Sequence, residues 1–351
     1  MFERIFKLSE HKTTVKTEVM AGITTFMTMA YILAVNPSVL GSTGMDTTAV
    51  LLATALASCL GTLCMAFMAN LPFALSAGMG LNAFMAYTVV AGYGYSWQVA
   101  LLAVFIEGLI FIVLSLTNVR EAIFNAIPLT LKKGVSVGIG LFIAFIGLQN
   151  SGLCVDSATL VGIISFPENF HTAGICALLT LIGLFFTAVF YTRKMKGAIL
   201  YGILLTWILG MLCQVTGLYV PTPDAGFYSL FPSWGMTDFS KLGLTFGQCF
   251  NVDFSAVGIV NFIVVIFSFL FVDIFDTLGT LIGVATKAKM LDKDGKLPGI
   301  KPALLADSIA TSAGAILGTS TTTTFVESAS GVAVGGRTGL TALVTGILFL
   351  V

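Results

Sequence analysis

Charge is scarce in this chain: Asp, Glu, Lys and Arg supply only 10% of its 351 residues, against about a quarter in an ordinary soluble domain. That shortage excludes a water-soluble enzyme. The 17 basic and 17 acidic residues balance, so no excess of positive charge points to nucleic acid as a partner. Histidine is rarer still, with His11 and His171 both in terminal or loop sequence. The six cysteines, Cys59, Cys64, Cys154, Cys176, Cys213 and Cys249, are scattered without a CxxC pair. They suggest neither a metal site nor a disulfide framework. The opening MFERIFKLSEHKTTVKTE is charged before any apolar run, so no cleavable signal peptide is expected in it.

Apolar sequence fills the space, at 57% of the chain, or about 200 residues. At roughly 20 residues per crossing, that is enough for ten or more spans. The expectation is an all-α polytopic membrane protein. Apolar runs fall near 19–36, 49–69, 78–92, 98–117, 134–150, 172–191, 197–217, 257–285, 302–317, 325–335 and 339–351. The runs 78–92 and 325–335 are too short to cross alone, and each follows an extended-looking stretch, Pro72–Ala77 and Thr319–Thr324. The last run stops at Val351 after about a dozen residues, so further C-terminal sequence is expected.

Basic residues give the orientation. With a cytoplasmic N-terminus and every run a crossing, each Lys and Arg except Lys241 falls inside: Arg4 to Lys16, Arg120, Lys132 and Lys133, Arg193 to Lys196, Lys287 to Lys301, and Arg337. Asp46, Asp156, Glu168, Asp224, Asp238 and Asp253 fall outside. This matches the positive-inside bias only if both short elements count as crossings. Extended backbone cannot face lipid with its N–H and C=O groups unpaired. The two extended segments are therefore expected to pair with each other, each followed by a half-helix, the third and tenth elements. Paired broken elements in the two halves of a transporter point to a substrate site. The competing reading is that Gly78, Gly80 and the threonine run only bring helices close.

Five acids fall inside spans, Glu107, Asp273, Asp276, Asp307 and Glu327, where a carboxylate costs about 2.5–3.5 kcal/mol on insertion scales. Asp273 and Asp276 share one helix face at i and i+3. Glu327 is expected in the first turn of the second half-helix, where burial and the helix N-terminus pull its proton affinity in opposite directions. Glu327, Asp276 and Asp273 are the candidates for proton coupling. Each acid could instead bridge two helices as a protonated carboxyl. Asn82 is expected to begin the first half-helix, its amide suited to the mixed donor and acceptor edge of a nucleobase or to capping the helix. Phe325 could stack on a flat ligand, or face the core. Gly134–Gly138 fits GxSxG, but no triad surrounds Ser136, so it reads as small-residue packing. Gly78-x-Gly80-x-x-Ala83 lacks the βαβ unit of a dinucleotide site.

SAGMGLNAF (76–84), FVDIFDTLGTLIG (271–283) and FVESASGVAVGGRTGLTA (325–342) resemble the purine (adenine/guanine/hypoxanthine) permease branch of the nucleobase–cation symporter superfamily, related to xanthine and uracil permeases. The likeness starts at AGITTFMTMAYILAVNP (21–37) and runs to the chain end. It implies the uracil permease-like fold, fourteen spans in two inverted seven-span repeats, of which about eleven are present. Residues 1–133 would be the core domain with spans 1–4. Residues 134–256 would be the gate domain with spans 5–7 and an extracellular loop, and 257–351 the core spans 8–11. Gate spans 12–14 would lie beyond this chain. The resemblance also implies proton-coupled import of purine bases by an elevator motion, in the cell membrane, with a homodimer through the gate. No cofactor is implied beyond the coupling ion. Position by position, it makes Asp276 and Glu327 substrate carboxyls, Val326 a source of a backbone amide, and Asn82 a pocket residue. Thr280 and Ser328 stand where uracil permeases have His and Asn, which favours the purine branch. The alternatives are an anion carrier of the same fold, for sulfate or bicarbonate, or a uracil or xanthine permease.

Overall fold

The computed structural model describes residues 2–117, 119, 122, 128–158, 160–195, 198–223, 226–232, 237–254, 257–292 and 297–351. Arg120, Lys196, Asp224, Lys293 and Lys296 lie outside the described residues, as do the side chains of Lys132, Lys133 and Ser136. The chain folds as two compact units, Met1–Ile139 with Thr237–Val351, and Gly140–Met236. Both are mostly helical. Among the described residues, six helices are long and apolar enough to cross a membrane: Val15–Gly41, Thr47–Ala69, Trp97–Leu116, Phe166–Thr192, Ile259–Ala288 and Ile300–Leu317. Large apolar side chains stay exposed along them, Val260, Phe267 and Phe271 on one helix and Leu184 and Phe185 on another, as a lipid-facing surface requires.

In the first unit, the leading span is broken, whereas the sequence suggests one continuous run. Helix Val15–Met29 stops and helix Ile32–Gly41 restarts after a turn at Ala30 and Tyr31. Thr24 donates to the Met20 carbonyl at 2.8 Å, and Thr28 to the Thr24 and Thr25 carbonyls at 3.1 and 2.9 Å. Such back-bonding loosens a helix, and Pro37 in the following segment carries no N–H for the ladder.

The next span starts where the Asp46 carboxylate accepts from Ala49 N at 2.9 Å, and runs from Thr47 to Cys64 and on to Ala69. It ends at Asn70, which takes a left-handed conformation (φ 52°). The Asn70 amide ties three segments together at that end, donating to Phe6 O at 3.1 Å and accepting from Gly339 N at 2.8 Å. At the other end, Lys241 pairs with Asp46 at 3.3 Å.

The two expected extended segments are short strands that pair antiparallel, Leu75–Ala77 with Thr322–Thr324. Leu75 faces Thr324, Ser76 faces Thr323 and Ala77 faces Thr322. Two flanking bonds extend the ladder, Gly78 N to Thr321 O and Phe325 N to Ala74 O, both at 2.9 Å. All six strand residues are buried. Each strand leads into a half-helix. Met79–Ala83 continues as a wider turn to Gly92, and Ser328–Val334 ends at Gly335. The second half-helix is shorter than the 325–335 run suggests, because Phe325 to Glu327 form a turn before it.

Close packing supports this crossing. The Thr47–Cys64 and Ile300–Leu317 helices approach so tightly that a Cβ at Gly61 would lie 2.6 Å from Ala310 Cβ. Phe84 meets Phe269 edge-on at 4.9 Å, joining the first half-helix to the Ile259–Ala288 helix.

The second unit holds the second half of helix Leu129–Asn150, a helical pair and a small sheet. Ile175–Thr192 and Ala198–Val215 pack through Gly183 against Thr206 and Gly202 against Thr187. Strands Cys154–Ser157 and Leu160–Ile163 form an antiparallel hairpin in sequence read above as loop. Its few apolar positions are too short a signal to register beside eleven longer runs.

Candidate functional site

The paired strands are held by side chains that the sequence lists only as buried polar groups. Each of three in-span acids reaches the threonine tract. Thr321 Oγ1 donates to Glu107 Oε2 at 3.1 Å. Thr324 N donates to Asp307 Oδ1 at 3.2 Å. Thr277 Oγ1 lies 3.1 Å from Asp273 Oδ1, 3.0 Å from Asp307 Oδ2 and 2.8 Å from Thr323 Oγ1. A hydroxyl has one proton to give, so Thr277 cannot donate to both carboxyls at once. Both contacts are satisfied together when one of the acids carries a proton and donates back. Asp273, Asp307 and Thr277 are fully buried, and a dry site makes such sharing far cheaper than two adjacent anions.

Asn82 belongs to the same scaffold. It stands fourth in the Met79–Ala83 half-helix rather than at its start, and Gly78 is the cap. Its amide N donates to Asn36 Oδ1 at 2.6 Å, and its carbonyl accepts from the Ser320 hydroxyl. Asn36 in turn donates to Thr54 Oγ1 at 2.7 Å and Thr319 Oγ1 at 2.9 Å. Asn82 is 0% exposed, so this amide is engaged within the protein instead of presented at an opening. Asn36, from the broken first span, is a partner that sequence reading missed.

Asp276 and Glu327 differ from the buried acids in being only partly covered. Asp276 shares the Ile259–Ala288 helix with Asp273 but sits beside the first half-helix cap: a Cβ at Gly78 would lie 3.5 Å from its Oδ2. It is within electrostatic reach of Glu327 and of Asp307. Glu327 stands at the N-cap position of the second half-helix, without a side-chain capping bond, one residue ahead of the first turn in which the sequence places it. Tyr31 Oη donates to Glu327 Oε1 at 2.7 Å. The turn that breaks the first span carries that phenol, and nothing in an apolar run marks one tyrosine as a carboxylate partner.

The remaining two candidates flank the acid. Val326 has a side chain 47% exposed, and its carbonyl accepts from Ala329 N at 3.0 Å. Phe325 is 6% exposed and packs in a cluster with Met29, Ile32, Cys59, Ala74 and Phe349, so it forms a wall rather than a free stacking face. The site thus offers two carboxyl-bearing residues that are only partly covered and the start of the first half-helix, whose first N–H groups have no partner within the helix. At the second, Ser328 N and Ala329 N already donate to Phe325 O and Val326 O at 3.2 and 3.0 Å. That arrangement suits a compact ligand rich in N–H donors with a few acceptors.

Comparisons with known proteins agree with this architecture. The Permease family profile Xan_ur_permease matches residues 16–351. The chain is 47% identical to the putative permease MJ0326 of Methanocaldococcus jannaschii, over 99% of this chain and 75% of that protein. It is 43% identical to the adenine permease AdeP of Escherichia coli K12, over 100% of this chain and 74% of that protein. The guanine/hypoxanthine permease PbuO of Bacillus subtilis is 44% identical, over 98% and 76%. The transmembrane domain of the cyanobacterium bicarbonate transporter BicA superposes with a TM-score of 0.59 at 15% identity, covering 95% of this chain and 80% of that one. That likeness establishes the uracil permease-like fold, not the cargo. The chain is a multi-pass membrane permease, not an enzyme, and it belongs to the xanthine/uracil permease family, in the branch that holds these adenine and guanine/hypoxanthine permeases.

Proposed function

We propose that the chain imports purine nucleobases by proton symport. The observation that carries this reading is the pair of partly covered acidic residues, Asp276 beside the Gly78 cap and Glu327 beside Tyr31. The relatives named for adenine and for guanine/hypoxanthine support the same cargo class. A neutral planar base carries its donors and acceptors in one plane, so two carboxyls and the N–H groups that open the first half-helix can replace its hydration. A sulfate or bicarbonate anion would meet like charge at both acids.

In this reading Asp276 and Glu327 accept N–H groups of the base, with Val326 giving a backbone amide and Phe325 walling the site. Asn82 acts through the half-helix it braces. Loading of a proton at Glu327 or Asp276 couples transport to the proton gradient, and Asp273 relays through Thr277. Residues 1–133 and 257–351 would be the core that carries the base, with 134–256 belonging to the gate. The elevator motion, the inverted repeats and a homodimer are parts of this proposal, as is a cytoplasmic N-terminus, which the basic loops support.

Uptake of radiolabelled hypoxanthine into cells lacking their own base importers tests it. Competition by excess adenine or guanine, with none by sulfate, bicarbonate, uracil or xanthine, is the expected result. Competition by sulfate or bicarbonate, without purines, would replace this reading with anion transport.

A further inference from the structure

A cavity lies at the end of the first unit where Asn70 ties the segments together. Its volume is about 460 Å³, and it is lined by His11, Asn70, Lys289, Gly299 and Arg337 among others. These residues come from five separate places: the sequence before the first span, the end of the second, the end of the Ile259–Ala288 helix, the start of the Ile300–Leu317 helix, and the loop after the second half-helix. Three of them, His11, Lys289 and Arg337, are basic residues, and among the described residues none of the side chains lining the cavity is acidic.

Charge at such a place has a bland reading, since two helix C-termini, at Ala69 and Ala288, face the same space. Each end carries about half a negative charge, and together they would hold roughly one cation. Lys289 and Arg337 exceed that, and the nearby Glu18 carboxyl is taken up by the Arg337 and Thr338 backbone N–H groups and the Thr338 and Thr341 hydroxyls. Arg337 is also fixed. Its Nη1 donates to Val332 O at 2.8 Å and Gly336 O at 2.6 Å, which sets the guanidinium plane while leaving its other N–H donors. A positioned guanidinium beside a lysine is the usual means of holding a phosphate group. Leu71, Met290, Leu297 and Pro298 supply apolar walls beside the charged end, so the space matches a headgroup with a hydrocarbon attachment.

We propose that this cavity binds a phosphate group, that of an anionic phospholipid of the adjoining leaflet or free phosphate. It lies apart from the Asp276–Glu327 site and does not depend on what that site carries. Binding there would tie the N-terminal segment, the second span and the half-helix loop to one another through a shared anion.

The purified, delipidated protein titrated with phosphatidylglycerol or with phosphatidylcholine, read by native mass spectrometry, tests the proposal. Inorganic phosphate serves as both competitor and separate ligand. Lys289→Asn keeps the left-handed backbone at φ 56°, which Asn tolerates, and removes one charge. Arg337→Gln removes the other. Retention of phosphatidylglycerol over phosphatidylcholine, falling about 5-fold in Lys289→Asn and roughly 30-fold in the double variant, is expected for a lipid headgroup. Phosphate binding with the same losses, and no preference for phosphatidylglycerol, assigns the site to the free anion. If Arg337→Gln does not fold, Lys289→Asn alone still decides. Equal retention of both lipids together with no phosphate binding, or retention unchanged by Lys289→Asn, would overturn the proposal.

Discussion

Tyr31 and Glu327 stand 296 positions apart in the chain and meet through a 2.7 Å hydrogen bond at the partly open site. The bond joins the turn that interrupts the first span to the cap of the second half-helix. A helix continuing unbroken through Ala30 and Tyr31 would not have that turn to present the phenol. In the proposed mechanism the interruption serves to hold Glu327, and it sets the first prediction.

Tyr31→Phe removes the donor while keeping the ring. A hydrogen bond to a charged group contributes about 1.5–3 kcal/mol, so hypoxanthine KM is expected to rise roughly tenfold to a hundredfold with the protein still expressed and inserted. Uptake kinetics across substrate concentration measure this. An unchanged KM and rate would mean that the phenol plays no part in holding Glu327 for substrate.

Thr277→Val leaves Asp273 and Asp307 without the hydroxyl that joins them to Thr323. The expected loss is about 1–3 kcal/mol of stability, seen as a lower Tm of the purified protein, and Thr277→Ser restores it. Because one hydroxyl serves both carboxyls, Thr277→Val and Asp307→Asn are expected to be non-additive in a double-mutant cycle by about 0.5–3 kcal/mol. Additive losses would contradict the shared arrangement.

Gly78→Ala tests the strand pairing. Its backbone conformation suits alanine (φ −68°), so the cost is steric: the new Cβ would lie 2.7 Å from Thr323 Cγ2. Uptake is expected to fall severely, and Thr323→Ser, which deletes that methyl and keeps the hydroxyl, should recover part of it. Failure of the second change to help would place the damage elsewhere, at Asp276.

Asp46 gives a pH prediction outside the spans. The Ala49 N–H, and then Lys241 beside it, hold its carboxyl below the usual carboxylate range, although partial burial opposes them. A depressed folded value adds stability above the ordinary carboxylate value, about 3.9, that is lost as pH falls through the folded one. The melting temperature should therefore be flat in this respect near neutrality and fall below about pH 4. Asp46→Asn, still a good cap, should flatten that limb. Asp46→Ala should lower stability by about 1 kcal/mol at neutral pH.

Hydropathy made the long spans legible, because a bilayer leaves few other ways to arrange that much apolar sequence. The two paired strands were legible for a similar reason: Thr319–Thr324 and Pro72–Ala77 lie in membrane-spanning sequence, where an unpaired backbone is not tolerated. Side-chain partners were not legible. Asn82 reads as a ligand residue from its amide alone, yet it meets Asn36 and Ser320, from distant segments that only the fold brings close. Asp273 and Asp276 look equivalent at i and i+3, but one faces Thr277 and the other stands beside Gly78. Tyr31 was invisible because helix breaks without Gly or Pro at the break leave no local mark.

The central claim is that Glu327 both holds the base and responds to the proton. Hypoxanthine uptake by Glu327→Gln, measured across external pH beside the parent protein, tests it most directly. The account predicts loss of most accumulation and of any residual pH dependence. Uptake at the parent rate with the parent pH profile would contradict it.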